Sequence, residues 1–206
     1  MKYNVLLAKF SVRSEGYEAF ITLSNKSASE KYFINQMVLA LRKDNKLEIE
    51  DIYDSGKDTN DDTILGGILG GIVGIFSGPI GFLLWGSLGA LIGSAKDASD
   101  ETEDMSLLER VCKILDNDEI AIIALIEEDE LTEINEMLNK YNAEIVRFDA
   151  SEVQYEVEKA KELQEELEKE TKRKMREERK GARKEKLKDI KEKISDEFKN
   201  LKSIVK

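Results

Sequence analysis

Apolar and polar positions vary along the chain in a way that marks out its elements. "YNVLLAKFSV", Tyr3 to Val12, predicts a strand. "SEGYEAFITLSNKS" places Tyr17, Phe20, Ile21 and Leu23 at helical spacing behind Ser14, a capping residue, and predicts a short helix. "YFINQMVLALRK" and "KLEIEDIYD" predict two strands joined at Asp44-Asn45, polar residues that suit a hairpin. Further on, "DMSLLERVCKILDND" sets Met105, Leu108, Val111, Cys112 and Leu115 on one helical face. "EIAIIALIEE" is the near-continuous apolar run of a central strand covered on both sides. "DELTEINEMLNKYN" repeats the helical period through Leu131, Ile134, Leu138 and Tyr141, and "AEIVRFDA" predicts a last strand. With the middle of the chain set aside, the first six elements follow the β-α-β-β-α-β order of a ferredoxin-like fold. The expected fold class is α+β: a ferredoxin-like α/β sandwich with helices on one face of the sheet, about 115 residues in all and ample for a core. Residues 1–62 and 97–150 form its two parts.

The middle of the chain, 63–96, breaks the pattern. From Ile64 to Ala95 there is no charged residue in 32 positions, and ten of them are glycine. One helix of that length would reach about 48 Å, beyond a hydrocarbon core of about 30 Å. Ser77-Gly78-Pro79 interrupts it, since proline cannot continue the backbone ladder and biases the residue before it away from helix. The expectation is a helical hairpin, Ile64–Ser77 and Ile80–Ala95, turning at Ser77, Gly78 and Pro79. Gly66, Gly70, Gly74 and Gly78 recur every four residues along one face, widened by Gly67 and Gly71, and Gly86, Gly89 and Gly93 do the same with Ala90 in the second half. Glycine costs about 1 kcal/mol per helix position relative to alanine, and what it gives in return is close backbone approach between helices. The glycine register predicts helix–helix packing and leaves the solvent open: a bilayer, or the dry core of an oligomer. Because it lies between a hairpin and a helix, the segment reads as a removable insert.

From Ser151 to Lys206 the chain has no proline and one glycine, Gly181, and predicts a long charged helix or two broken near Gly181. Leu187, Ile190, Ile194, Phe198, Leu201 and Val205 form an amphipathic stripe flanked by lysines. Charge sharpens this division. The net charge is −11, but Thr171–Lys206 carries 15 Lys/Arg against 7 Asp/Glu while Met1–Glu170 carries 17 against 36. A coiled coil, an anionic membrane surface and a nucleic acid are all open to such an arm. With no aromatic platform beyond Phe198, nucleic acid fits least.

Candidate chemistry changes the picture by its absence. There is no histidine, which removes His-based acid/base work, Ser–His and Cys–His nucleophiles and the usual zinc sites. The single cysteine, Cys112, admits no intramolecular disulfide and falls on an apolar helix face, as a buried structural thiol would. "EEDELTE" suits a solvated helix start better than a metal site. "GGILGG" lacks the Gly-Lys-Ser/Thr of a phosphate loop. The N-terminal apolar run is too short for a signal peptide, and Lys9 interrupts it, so the first domain is expected in the cytosol.

Strand, helix, β-hairpin, glycine-rich apolar hairpin ("ILGGILGGIVGIFSGPIGFLLWGSLGALIGSA"), helix and strand together resemble the bacterial and archaeal "domain of unknown function 1269" family, commonly labelled a predicted membrane protein. The likeness covers about Tyr3 to Ala150 and brings no catalytic residues to carry over. The C-terminal arm departs from it. The function expected is non-enzymatic: a membrane-associated, self-associating protein on the cytoplasmic side of the cell membrane, oligomerising through its glycine-faced hairpins. The alternative is a soluble cytoplasmic assembly with the hairpins buried in the oligomer core. The expected partners are further copies of the chain and a lipid bilayer, with an anionic lipid or a protein on the C-terminal helix. No catalytic residue, metal or cofactor is expected.

Overall fold

The computed structural model describes residues 2–44, 46–56, 62–78, 81, 84–85, 107–166 and 168–176, with backbone alone for 62–66. Met1–Gln164 and Glu165–Lys206 fall into two compact units. The first holds β1 (Lys2–Phe10), α1 (Arg13–Asn25), β2 (Tyr32–Lys43), β3 (Lys46–Asp54), α2 (Asp62–Ser77), α3 (Leu107–Ile114), β4 (Ile120–Glu128), α4 (Thr132–Asn139) and β5 (Glu144–Asp149). A C-terminal helix follows over 150–166 and 168–176.

The five strands are mixed with helices in an α+β arrangement, in the order β3-β2-β4-β1-β5. Every neighbouring pair is antiparallel. β4 lies between β1 and β2, and β1 between β4 and β5, so β1-α1-β2 and β4-α4-β5 each cross over one strand. β3 joins at the edge through a tight hairpin in which Lys43 pairs with Lys46. Asp44 takes a φ of +49° there, a left-handed conformation that Asp tolerates.

Successive strand residues face opposite sides, and both sets are apolar. Leu6, Ala8 and Phe10 of β1 and the Ile120, Ile122, Ala124 and Ile126 set of β4 pack with Phe20 and Leu23 of α1 and Ile134 and Leu138 of α4. The intervening Val5, Leu7, Val38, Ala121, Ile123 and Leu125 are equally buried. Their cover is α2, which lies across β3, β2 and β4; Leu108 and Val111 of α3 and Val153 and Val157 of the C-terminal helix are buried as well, Val157 beside Gly71 of α2. The expectation of helices on one face is therefore corrected. Strands with two apolar faces need two layers of cover, and the glycine-rich helix supplies part of the second.

Local details explain how the elements sit. α1 begins at Arg13 with Val12 at its N-cap and no side-chain cap, so Ser14 does not cap it. Instead the Val12 carbonyl accepts from the Glu15 and Gly16 N–H groups, and the Arg13 guanidinium donates to Asp118 at 2.7 Å. A side chain at Gly16 would meet Ile120 Cγ2 at 2.5 Å, so glycine lets α1 approach the sheet. Glu156 of the C-terminal helix accepts from the Leu107 and Leu108 N–H groups at 3.1 and 3.0 Å, capping α3 at the positive end of its dipole. Asp149 accepts from Ser151 N at 2.9 Å where the C-terminal helix starts. The Ser151 hydroxyl, Lys2 and that N–H hold the Asp149 carboxyl down at about 2. Glu128, 3% exposed, accepts from Arg147 Nε at 2.6 Å and Asn4 Nδ2 at 2.9 Å, a buried pair joining β4, β5 and β1.

Candidate functional site

The apolar residues of α2 at spacings of three and four form its buried face. Ile68, Leu69, Ile72, Ile75 and Phe76 are all at most 4% exposed. At its C-terminal end the Ser77 hydroxyl donates to the Leu47 carbonyl at 3.2 Å, and Gly78 N–H to the Ile75 carbonyl at 3.2 Å. A second side is set against the C-terminal helix: a methyl group at Gly71 would strike Val157 and the end of Lys161, and one at Gly78 would strike Gln164. On the third side, methyl groups at Gly67, Gly70 or Gly74 would meet nothing within 4 Å among the described residues, though Lys161 Nζ reaches the Gly67 carbonyl at 3.5 Å. Beside this side runs an apolar groove of about 210 Å³, walled by Val38, Ile49 and Ile52 of the sheet and by Leu69, Gly70 and Val73 of α2.

Trp85, from the second half of the glycine-rich segment, is 5% exposed. Its ring lies 5.2 Å from that of Phe76, centroid to centroid, and the Arg42 guanidinium sits 4.1 Å over its face. Arg42, on β2, also donates from Nη1 to the Leu115 carbonyl beyond α3 at 2.5 Å. Burial there lowers the Arg42 pKa from its ordinary value. Cys112, on the neighbouring α3, is buried. Burial pushes its thiol up to about 12, which keeps it neutral and a poor nucleophile.

The family described as "Protein of unknown function (DUF1269)" matches residues 63–168, a little over half of the chain. The chain belongs to this family. The DUF1269 match starts at α2 and ends inside the C-terminal helix. It therefore includes the beginning of the arm and not β1 to β3, whereas the resemblance drawn from the sequence ran from about Tyr3 to Ala150. Among curated proteins nothing matches, and among solved structures nothing matches.

Of the residues expected to pack the DUF1269 chain's helices together, Gly66 lies in α2, Gly70 and Gly74 on its open side, and Gly78 beside Gln164. Pro79, Gly86, Gly89 and Gly93 lie outside the described residues, as does the stripe Leu187, Ile190, Ile194, Phe198, Leu201 and Val205. Among the described residues no helix is long and apolar enough to cross a membrane, and no group of three or more His, Cys, Asp or Glu could hold a metal ion. Sequence reasoning missed Gly71 as the point of approach to the C-terminal helix, and Arg42 as the seat of Trp85. The first had a signal, since Gly71 and Gly78 are two turns apart. The second had none, because no spacing links a strand-end arginine to a distant tryptophan.

Proposed function

We propose that this DUF1269 protein is a non-enzymatic, self-associating protein whose copies meet through the open glycine side of α2. The observation that carries this is the division of that helix into three sides. One is packed on the sheet, one on the C-terminal helix, and the third carries Gly67, Gly70 and Gly74, at which an added Cβ would meet nothing within 4 Å among the described residues, the Gly67 carbonyl alone being reached by Lys161 Nζ at 3.5 Å. Exposed glycines in a helix each cost about 1 kcal/mol relative to alanine. Close approach of another helix is the return that such positions offer. The lack of histidine and the neutral, buried Cys112 support a non-enzymatic role. We read the two interleaved crossovers as ferredoxin-like, built by β1, α1, β2, β4, α4 and β5. In this reading β3, α2 and α3 lie in the connection between β2 and β4.

Membrane association at the cytoplasmic face is a second reading, supported by the uncharged run from Ile64 to Ala95. The packing of Ile68, Ile72, Ile75 and Phe76 into the domain favours the first, because those side chains would have to leave the sheet to reach lipid. The test is the double substitution Gly70→Leu with Gly74→Leu. A Cβ at either position meets nothing within 4 Å among the described residues, and the groove beside Gly70 has room for the rest of a leucine, so the fold is expected to melt no lower than wild type. Sedimentation velocity should move to smaller species, while flotation with lipid vesicles should not weaken. Identical sedimentation of variant and wild type would remove the glycine side as the point of contact.

A further inference from the structure

β3 is an edge strand, and its register breaks where it borders the apolar groove. Val38 pairs with Ile52, Leu39 with Asp51 and Ala40 with Ile49, so Glu50 is an extra residue in the ladder. In a regular strand positions 49 and 52, three apart, would face opposite sides of the sheet. The bulge turns both toward α2, and both line the groove with Val38, Leu69, Gly70 and Val73. Val38 and Leu69 are buried, but Ile52 is 65% exposed and Gly70 is exposed too. Each copy therefore carries one protruding isoleucine beside one apolar groove. At about 210 Å³ the groove exceeds the apolar cavity of about 150 Å³ that admits benzene, so an isoleucine side chain fits. The charges of β3 are engaged elsewhere. Glu50 accepts from the Tyr17 hydroxyl of α1 on the other face, Glu48 pairs with Lys43, and the Asp51 carboxylate accepts from Ile52 N–H. Asp54, at the end of the groove, accepts from Gln36 Nε2 at 2.8 Å and from Gly56 N–H at 2.9 Å. With a net −11 on every copy, like surfaces repel, and the acidic edge of β3 opposes strand-to-strand pairing. The groove face, where apolar residues replace charge, is where a second copy can approach.

We propose that two copies dock reciprocally about a two-fold axis, Ile52 of each entering the other's groove between the sheet and the Gly70 and Val73 stretch of α2. This names the anchor of the self-association proposed above and rests on that reading. The test uses the full chain in sedimentation velocity. Ile52→Ser, at a mostly exposed side chain, should keep the wild-type melting temperature and weaken self-association at least about 10-fold. Ile21→Ser is the control: Ile21 is 57% exposed on α1, across the sheet, and its variant should sediment as wild type. Ile52→Cys chains mixed with tagged Val73→Cys chains should form a disulfide between copies on mild oxidation, whereas Ile21→Cys with Val73→Cys should not. The buried Cys112 stays out of this exchange. If wild type associates and Ile52→Ser associates as tightly, or no cross-link forms between positions 52 and 73, the groove docking is overturned and the glycine side of α2 keeps its own test. Equal weakening by Ile52→Ser and Ile21→Ser would show a general loss of apolar surface and overturn the groove likewise. If wild type stays monomeric at every concentration, the groove docking and the self-association reading fall together.

Discussion

A methyl group added at Gly71 meets Val157 and Lys161, whereas one added at Gly70 meets nothing within 4 Å. The two neighbours should therefore respond oppositely to alanine. Gly70→Ala is expected to stabilise the fold by up to about 1 kcal/mol, because only the helix propensity term changes. Gly71→Ala gains the same propensity but forces apart two helices, which costs about 1–3 kcal/mol in a packed interior and should win. Urea melts of the two variants beside wild type check both signs. Cys112 gives a second residue-scale expectation. Its folded pKa of about 12 lies above the ordinary thiol value of 9.0, through desolvation first. Between those limits the unfolded state holds fewer protons than the folded one, so stability falls as pH rises from about 9 toward 12, with a slope approaching about 1.4 kcal/mol per pH unit. The melting difference between wild type and Cys112→Ala should shift against wild type across that window and be flat below pH 8. A flat difference throughout would mean the thiol is hydrated in the folded protein.

At the scale of elements, α2 is part of the core, which reverses the expectation of a removable insert. Ile68, Leu69, Ile72, Ile75 and Phe76 lie on the sheet side of it, nearly or wholly buried. At about 1.5–3 kcal/mol each, their burial sums to about 8–15 kcal/mol, the scale of a whole domain's net stability. Deleting Ile64–Ala95 and bridging the flanks with a short polar linker should abolish the cooperative thermal transition and promote aggregation through the bared Val38, Ile123 and Leu125. A sharp melt with intact near-ultraviolet dichroism would show that another segment covers that face. The existence of these elements was legible because each has its own periodicity: the continuous apolar run of β4 fits a strand covered twice, and α2 has helical spacing. Its destination was not legible, since a stripe repeating every 3.6 residues looks the same facing a sheet, a partner or lipid. Gly16 was unreadable for a related reason, being an ordinary helix breaker until Ile120 is seen beneath it. Glu156 caps α3 from 49 residues away, a distance at which no local motif operates.

For the whole molecule the uneven charge offers a rival route to self-association. Residues 171–206 carry a clear excess of Lys/Arg, and the rest of the chain carries 36 Asp/Glu against 17 Lys/Arg. Copies could be held by basic arms on acidic bodies rather than by glycine sides, and ionic strength separates the two. Screening shortens the reach of exposed charges from about 10 Å at 0.1 M salt to about 3 Å at 1 M. An arm-on-body complex should dissociate over that range. A contact through Gly67, Gly70 and Gly74 relies on close packing of uncharged helix surface, which salt does not screen. Each copy also bears a net −11, so screening relieves repulsion between copies. The expected outcome is that the sedimentation profile of the full chain stays constant or moves to larger species as salt rises from about 0.1 to about 1 M. Gly70→Leu with Gly74→Leu should remain small at both ends of the range. Dissolution of the wild-type assembly at high salt would assign self-association to the arm and leave the glycine side of α2 without a partner copy.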